Sequence, residues 1–485
     1  MTSDRLTLVG GSWIGASSDQ WLPVLDPADL RNVVARVPAL TTDDIERAFA
    51  GAQEGADVWR STGALDRGAV LIGAAQRLRE RRAAIVTDLV AEMGKTEAEA
   101  SGEVTKAADF FDYFGGMARS PSGYTLNDSR PNTWSGVRYE PVGIVLAVTP
   151  WNDPLLTPAR KLAPALFSGN AVVLKPSTDT PLVSLHLAQA LLDAGLPPKV
   201  LSVVTGRGAD ISTALLSDSR LAGVTFTGSN SVGSSILAAL SGRNLRVQTE
   251  LGGKNAAVVL ADADLELAAS TIVAAAFGQA GQRCTATSRV IVHRAIAEVL
   301  IQRMREMTEE LTVGPGSDAS TSMGPLINEK QRQSVMSDVA RATSQGATIV
   351  TGGGIPSDSR LRHGCFVEPT ILSEVNGAMN IWRDEVFGPV LSVAIAEDFD
   401  EACRMVNDSS FGLSAAIFTR DLEAASRFID RADTGQVAVN LPTSGWDVHQ
   451  PFGGFRESGS PFKEQGTEAL HFYARAKTYA IRFAT

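Results

Sequence analysis

The chain has 485 residues, 44% hydrophobic and 20% charged, with a mean hydropathy of +0.02, a formal net charge of −10 and a pI of about 5.2. This is the composition of a globular protein with material for large cores, its length suggests about three domain-sized units, and its acidic balance argues against a nucleic-acid partner. No apolar run reaches the roughly 18–20 residues of a membrane span, and three scattered cysteines and five histidines without H-E-x-x-H spacing leave neither a disulfide framework nor a metal site.

The N-terminus "MTSDRLTLVGGSWIG" lacks a basic start followed by a long apolar core, so a cytoplasmic protein is expected. "RLRERR" (Arg77 to Arg82) is the densest basic run, and its amphipathic setting reads as a solvated helix face. Residues 120–141 alternate without an apolar helix face and predict a projecting hairpin. Apolar runs over 142–150, 170–177, 200–206 and 223–229, separated by helical stretches, predict a buried parallel sheet and an α/β fold. A second α/β series follows from Asn255 to about Pro442, and 470–483 reads as a strand, an added edge for a neighbouring subunit.

Candidate chemistry gathers where these predicted strands end. "VTPWNDPLL" puts Asn152 on a bend, either as a neutral donor to an oxyanion or as a turn or N-cap residue. "VVLKPSTDTP" puts Lys175, Ser177 and Thr178 where ligands of open α/β sheets collect, or leaves the lysine solvated before a turn. "VTFTGSNSVGSSILAAL" is a strand, a turn with Gly228 and Gly233, and a helix. Its G-x-x-x-x-G spacing departs from G-x-G-x-x-G, leaving a phosphate cradle and a plain turn equally open. In "TELGGKNAAVVL", Glu250 is a candidate general base or an exposed turn carboxylate. "FGQAGQRCTATSR" holds Cys284, a nucleophile or a small core residue, whereas Cys365 and Cys403 read as core.

The motifs "TPWN", "LKPS", "FTGS", "ELGGKN", "GQRC", "EVFGPV" and "PFGG" resemble the aldehyde dehydrogenase superfamily in order and spacing over nearly the whole chain. The resemblance implies a Rossmann-like cofactor domain (1–120, 142–250 and 452–468), an α/β catalytic domain (251–451) and a β arm for oligomerisation (121–141 and 469–485). It implies Cys284 as nucleophile, Asn152 as oxyanion donor, Glu250 as base for the hydrolytic water, and Lys161 and Glu464 as a proton relay. Trp151, Lys175, Ser177, Thr178, Arg207, Gly208, Gly228, Ser229, Gly233, Leu251, Glu385 and Phe387 would meet the cofactor. Thr178 stands where many NAD-preferring relatives carry glutamate, so NADP is expected to be accepted, with NAD the alternative.

"GQRCTATSR" and "NLPTSGWDVHQPFGG" resemble the branch containing α-ketoglutarate semialdehyde dehydrogenases, which oxidise 2,5-dioxopentanoate. With Arg160 in a tunnel position, an acidic semialdehyde, this one or succinate semialdehyde, is the expected substrate; a structural ion pair is the other reading of Arg160. Asp153 replaces the apolar or aromatic residue usual after the motif asparagine, where it would pair with Arg160 or contact substrate. Arg283 and Trp446 complete the expected substrate contacts, and Trp446 keeps an aromatic aldehyde as the alternative. A homodimer or homotetramer is expected. A catalytically silent scaffold would lack Cys284, Glu250 or Asn152, and an acyl-CoA-forming enzyme would lack the base.

Overall fold

A computed structural model describes residues 3–120 and 122–483. Residues 1–2, 121 and 484–485, which the sequence assigns to the cofactor domain and the arm, lie outside the described residues.

The apolar runs of the N-terminal half form one five-stranded parallel sheet, in the spatial order 201–203, 171–175, 144–148, 221–227, 246–250. Strands 144–148 and 171–175 are buried along almost their whole length, which is why they read as continuous apolar runs rather than alternating ones. The strand order reverses direction between Ile144–Val148 and Leu221–Thr227. Connections from these two strands leave on opposite sides, so a crevice opens outside their carboxyl ends. Trp151 and Asn152 follow the first of them, and Gly228 and Ser229 follow the second.

The second α/β series builds a seven-stranded sheet in the order 348–351, 370–373, 390–396, 287–293, 255–259, 414–418, 436–439. Only the edge strand Thr348–Thr351 runs antiparallel. Its core draws on residues from Ala256 to Ala438, separate from the two cores that flank the first sheet.

The helix Glu97–Gly116 lines one side of the crevice with Glu99, Glu103 and Lys106. Thr96 and Glu99 close its first turn as a capping box, satisfying two backbone donors reciprocally. Its apolar residues, among them Val104, Phe111 and Phe114, are buried in the first core. The basic run Arg77–Arg82 lies across two consecutive helices, with Arg77 paired to Glu80 and Arg79 to Asp109 and Asp112.

The predicted hairpin is present as Gly123–Leu126 paired antiparallel with Thr133–Pro141. One correction concerns the C-terminus. Leu470–Tyr473 is a short helix rather than strand, because Phe472 and Tyr473 are fully buried and stack edge-on with ring centroids 4.8 Å apart. The next strand, Ala474–Arg482, pairs along its whole length with Thr133–Pro141 of its own chain. Its partner is therefore intramolecular, and its other side remains the edge of this small sheet. No helix among the described residues is long and apolar enough to cross a membrane.

Candidate active site

A cavity of about 470 Å³ opens at the reversal point of the first sheet and runs to the face of the second. Its walls include Trp151, Asn152, Asp153, Arg160, Gly228, Ser229, Glu250, Leu251, Arg283, Cys284, Glu385, Phe387 and Trp446. Residues far apart in sequence thus meet in one space. Lys175, Ser177, Thr178, Arg207, Gly208 and Gly233 are not among the lining residues. Lys175 ends its strand at the same carboxyl edge, buried, with Nζ donating to the Pro176 carbonyl at 2.9 Å. Burial lowers its ammonium pKa to about 8, against the opposing Asp179 carboxylate. Ser177 Oγ accepts from the Asp179 amide at 3.3 Å and Thr178 Oγ1 donates to the Gly206 carbonyl at 3.1 Å, while Arg207 and Gly208 open the next helix in solvent.

At the first sheet, Ser229 caps the helix Asn230–Ala239, whose amino end faces the crevice. A Cβ on Gly228 would lie 2.6 Å from the Phe226 ring, and one on Gly233 would lie 2.7 Å from Leu251. A side chain at Gly228 would thus press on the Phe226 ring, and one at Gly233 would have to displace the tip of Leu251. A helix amino terminus at a strand end, reached through small residues, fits a dinucleotide pyrophosphate. Glu385 accepts from the Gly253 amide at 2.9 Å, and burial raises its carboxyl to about 7, with that hydrogen bond and Lys254 opposing. Phe387, in left-handed backbone at φ 53°, meets Trp151 edge-on at 5.2 Å.

The Gly-Gly pair after Leu251 has a steric explanation. A Cβ on Gly252 would sit 2.3 Å from Glu385 Oε2, and one on Gly253 would sit 2.5 Å from the Cys284 carbonyl oxygen. Asn255 then braces the cysteine loop, its Nδ2 donating to the carbonyls of Cys284 and Ala286 at 2.8 Å each.

Glu250 corrects the exposed-turn reading: it ends the strand Arg246–Glu250, is 2% exposed, and neither carboxylate oxygen has a hydrogen-bond partner. Burial, then the nearby Glu464 charge, raises its pKa well above the ordinary carboxylate range, with Lys161, Lys463 and Arg160 opposing. A desolvated, unpartnered carboxyl at a cavity wall is arranged to take a proton. Behind it, Lys161 pairs with Glu464 and donates to Thr225 Oγ1 at 2.8 Å.

Cys284 is half-buried, three residues after Gly281, in a loop where Gln279 and Ala280 are held at φ 53° and 54°. Left-handed backbone in such residues costs on the order of 1 kcal/mol or more each and persists only where neighbours impose it. Those neighbours are Glu99, accepting from the Gln279 amide at 2.6 Å, Asp153, accepting from Gln279 Nε2 at 3.0 Å, and Arg283, donating to Gln279 Oε1 at 2.7 Å. Burial pushes the Cys284 thiol up to about 12, Asp153, Glu385 and Glu250 add to the rise, and Arg160 opposes it. The cation nearest in effect is therefore Arg160, not Arg283 as sequence proximity suggests. Far below its pKa a thiol's ionised fraction rises tenfold per pH unit. Alkylation of Cys284 by iodoacetamide in the ligand-free protein is accordingly expected to accelerate about tenfold from pH 7 to 8, and again to pH 9, without a plateau.

The far end of the cavity is densely charged. Arg160 corrects the free-anchor expectation in part: Nη1 donates to Glu464 Oε2 at 3.4 Å, and its guanidinium lies 4.7 Å from the Phe452 ring centroid. Its Nε is buried without a partner. Asp153 does not pair with Arg160; it faces Lys95 Nζ at 3.4 Å and Gln279. Trp446 donates from Nε1 to the Thr443 carbonyl at 3.3 Å.

Sequence reasoning missed Lys95, Glu99, Glu103, Lys106 and Gln279. The first four lie on or just before the helix Glu97–Gly116, where only the capping-box spelling "TEAE" marked anything, and it marked a helix start. Lys106 lines the cavity, and burial together with the Arg283 and Arg160 charges lowers its ammonium pKa.

A sequence profile described as "Aldehyde dehydrogenase family" matches residues 13–479. The chain is 41% identical over 479 residues to an alpha-ketoglutarate semialdehyde dehydrogenase of Haloferax volcanii, covering 99% of each protein. It is 39% identical over 469 residues to a 2,5-dioxopentanoate dehydrogenase of Saccharolobus solfataricus, covering 96% of this chain and 97% of that one. Among solved structures, betaine aldehyde dehydrogenase from Staphylococcus aureus in complex with NAD+ superposes with a TM-score of 0.96 at 31% identity, covering 99% of this chain and 94% of that one.

Proposed function

The chain belongs to the aldehyde dehydrogenase family, and from that premise we propose that it is an NAD(P)-dependent dehydrogenase of an acidic semialdehyde of the 2,5-dioxopentanoate or succinate semialdehyde kind. The observation that carries the substrate class is that Lys106, Arg160 and Arg283 line one cavity with the candidate nucleophile Cys284, near enough that the two guanidinium charges act on the Lys106 ammonium. Cations crowded in a buried space lower one another's affinity for protons, and a substrate carboxylate between them relieves that repulsion.

The reaction follows from the groups present. Cys284, as thiolate, adds to the aldehyde carbon, and the Asn152 amide with the Cys284 backbone N–H donates to the oxygen as it gains charge. A bound dinucleotide would be held at its pyrophosphate by Gly228 and Ser229 and at its nicotinamide end by Leu251, Glu385 and Phe387, and would supply the hydride acceptor for the hydrogen leaving that carbon. A thioester on Cys284 remains. Glu250 takes a proton from a water, the hydroxide displaces the Cys284 sulfur, and a carboxylic acid departs. Lys161 and Glu464 lie behind Glu250 and offer its proton a way out. At the adenosine end, Thr178 leaves no carboxylate to repel a 2′-phosphate, and Lys175, Ser177 and Arg207 add donors, which supports use of NADP.

The first sheet and its flanking cores would form the cofactor domain, the seven-stranded sheet the catalytic domain, and the three-stranded sheet an oligomerisation arm. Exposed Tyr124, Leu126, Trp134 and Ile481 on that arm support a homodimer or homotetramer.

The test is NAD(P)H formation with 2,5-dioxopentanoate, succinate semialdehyde and benzaldehyde, each with NAD and NADP. Higher kcat/KM for the two acids supports the reading, and benzaldehyde as best substrate overturns the substrate class. Arg160→Met is expected to raise KM for the acids about 30-fold, the loss of a charge-assisted contact of roughly 2 kcal/mol, with little change for benzaldehyde.

A further inference from the structure

We propose that Asp153 is a positioning residue that clasps the loop carrying Asn152 to the loop carrying Cys284, rather than a contact for substrate. The inference rests on the reading of those two residues as oxyanion donor and nucleophile.

Asp153 follows Asn152 directly, at the end of the bend that leaves the first sheet. Its Oδ1 meets Lys95 Nζ at 3.4 Å on one side and accepts from Gln279 Nε2 at 3.0 Å on the other. Lys95 is fully buried and uses the same ammonium to hold Glu103 and to donate to the Asn152 carbonyl at 3.0 Å. Glu103 Oε1 in turn accepts the backbone amides of Leu155 and Leu156, both at 2.9 Å. The Asn152 bend is thereby fixed at its carbonyl, at its next side chain and at its exit. On the other side, Gln279 carries the first of the left-handed residues before Cys284, and its amide and side chain are all engaged. Asp153 to Gln279 is the direct side-chain hydrogen bond between the two loops.

This arrangement also explains how an acidic residue can stand on the wall of a cavity that would receive an anion. The Lys95 ammonium, shared with Glu103, lies beside the Asp153 carboxylate, whose Oδ1 is held by both Lys95 and Gln279. The Lys95 and Arg283 charges outweigh burial and keep the carboxylate ionised. An apolar residue at this position would leave Lys95 with one fewer carboxylate and Gln279 Nε2 without its acceptor.

The test compares Asp153→Leu, Asp153→Asn and the exchange Asp153→Asn with Gln279→Glu, which reverses the hydrogen bond while keeping the net charge of the wall. Thermal unfolding first establishes which variants are folded. Asp153→Leu is expected to lower kcat about tenfold or more with KM within about threefold of the parent, and the exchange is expected to return kcat to within about threefold. Amide hydrogen exchange over residues 277–285 is expected to speed up about tenfold in the single variants and to return in the exchange. Should Asp153→Leu not fold, Asp153→Asn against the exchange decides the same point. A KM effect alone, an exchange that restores nothing, or unaltered hydrogen exchange would overturn the clasp. Activity surviving in Cys284→Ser would instead refute the functional reading, and the hydrogen-exchange comparison would still decide the clasp.

Discussion

Replacing Cys284 with serine is expected to reduce aldehyde oxidation by at least about 10⁴-fold, the scale on which nucleophile removal acts elsewhere. An alcohol is far less acidic than a thiol and a much poorer leaving group from an acyl intermediate, so both halves of the proposed reaction suffer. The protein environment does not compensate: burial already drives even the thiol up to about 12 in the free protein, and three carboxylates oppose an anion at this position. The substitution replaces one small atom in a half-buried side chain, so the fold is expected to survive, and an unchanged unfolding temperature alongside lost turnover separates chemistry from stability. Retention of more than about one per cent of parental kcat would remove Cys284 from the reaction.

Replacing Glu250 with glutamine is expected to act on the second half alone. The first turnover should still release one NAD(P)H per site, while steady-state turnover falls about 10²–10³-fold, the usual range for a general base. The pH dependence follows from the direction of its shift. Burial and Glu464 raise the Glu250 pKa well above the ordinary carboxylate range, so the acid limb of kcat is expected at higher pH than an ordinary carboxylate would give. Below that pKa the active fraction falls tenfold per pH unit, so kcat of the parent should climb with pH and the variant should lose that limb. Rapid-mixing measurement of the burst and of the steady state over pH 6–9 would check both; a variant without a burst would assign Glu250 to the first half instead.

Much of this site was legible because its backbone makes unusual demands. Gly228, Gly252 and Gly253 stand where any side chain would strike Phe226, Glu385 or Cys284, and such positions leave a short, recognisable spelling. Strand ends were legible for a similar reason: buried parallel strands are apolar throughout, and their polar successors stand out. What was not legible depends on approach in three dimensions. Lys95 lies just before, and Glu103 on, a helix that spells nothing catalytic, and only its packing over the first sheet brings them under Asn152. Arg160 and Lys161 are neighbours whose shared partner, Glu464, comes from the other end of the chain. The C-terminal "LHFY" looked extended because apolar residues dominate it, and burial of two aromatic rings decided for helix.

The pairing of Ala474–Arg482 with Thr133–Pro141 also orders events during synthesis. A nascent chain emerging from the ribosome has its hairpin early but must wait for residues 474–482 before the third strand can join. Glu464, which secures Lys161, arrives almost as late. The third strand of this sheet and the Lys161–Glu464 pair behind Glu250 are therefore completed late and close together. Until then a growing polypeptide lacks both the third strand of this sheet and the Glu464 partner of Lys161, so a chain cut short before Glu464 would miss both at once.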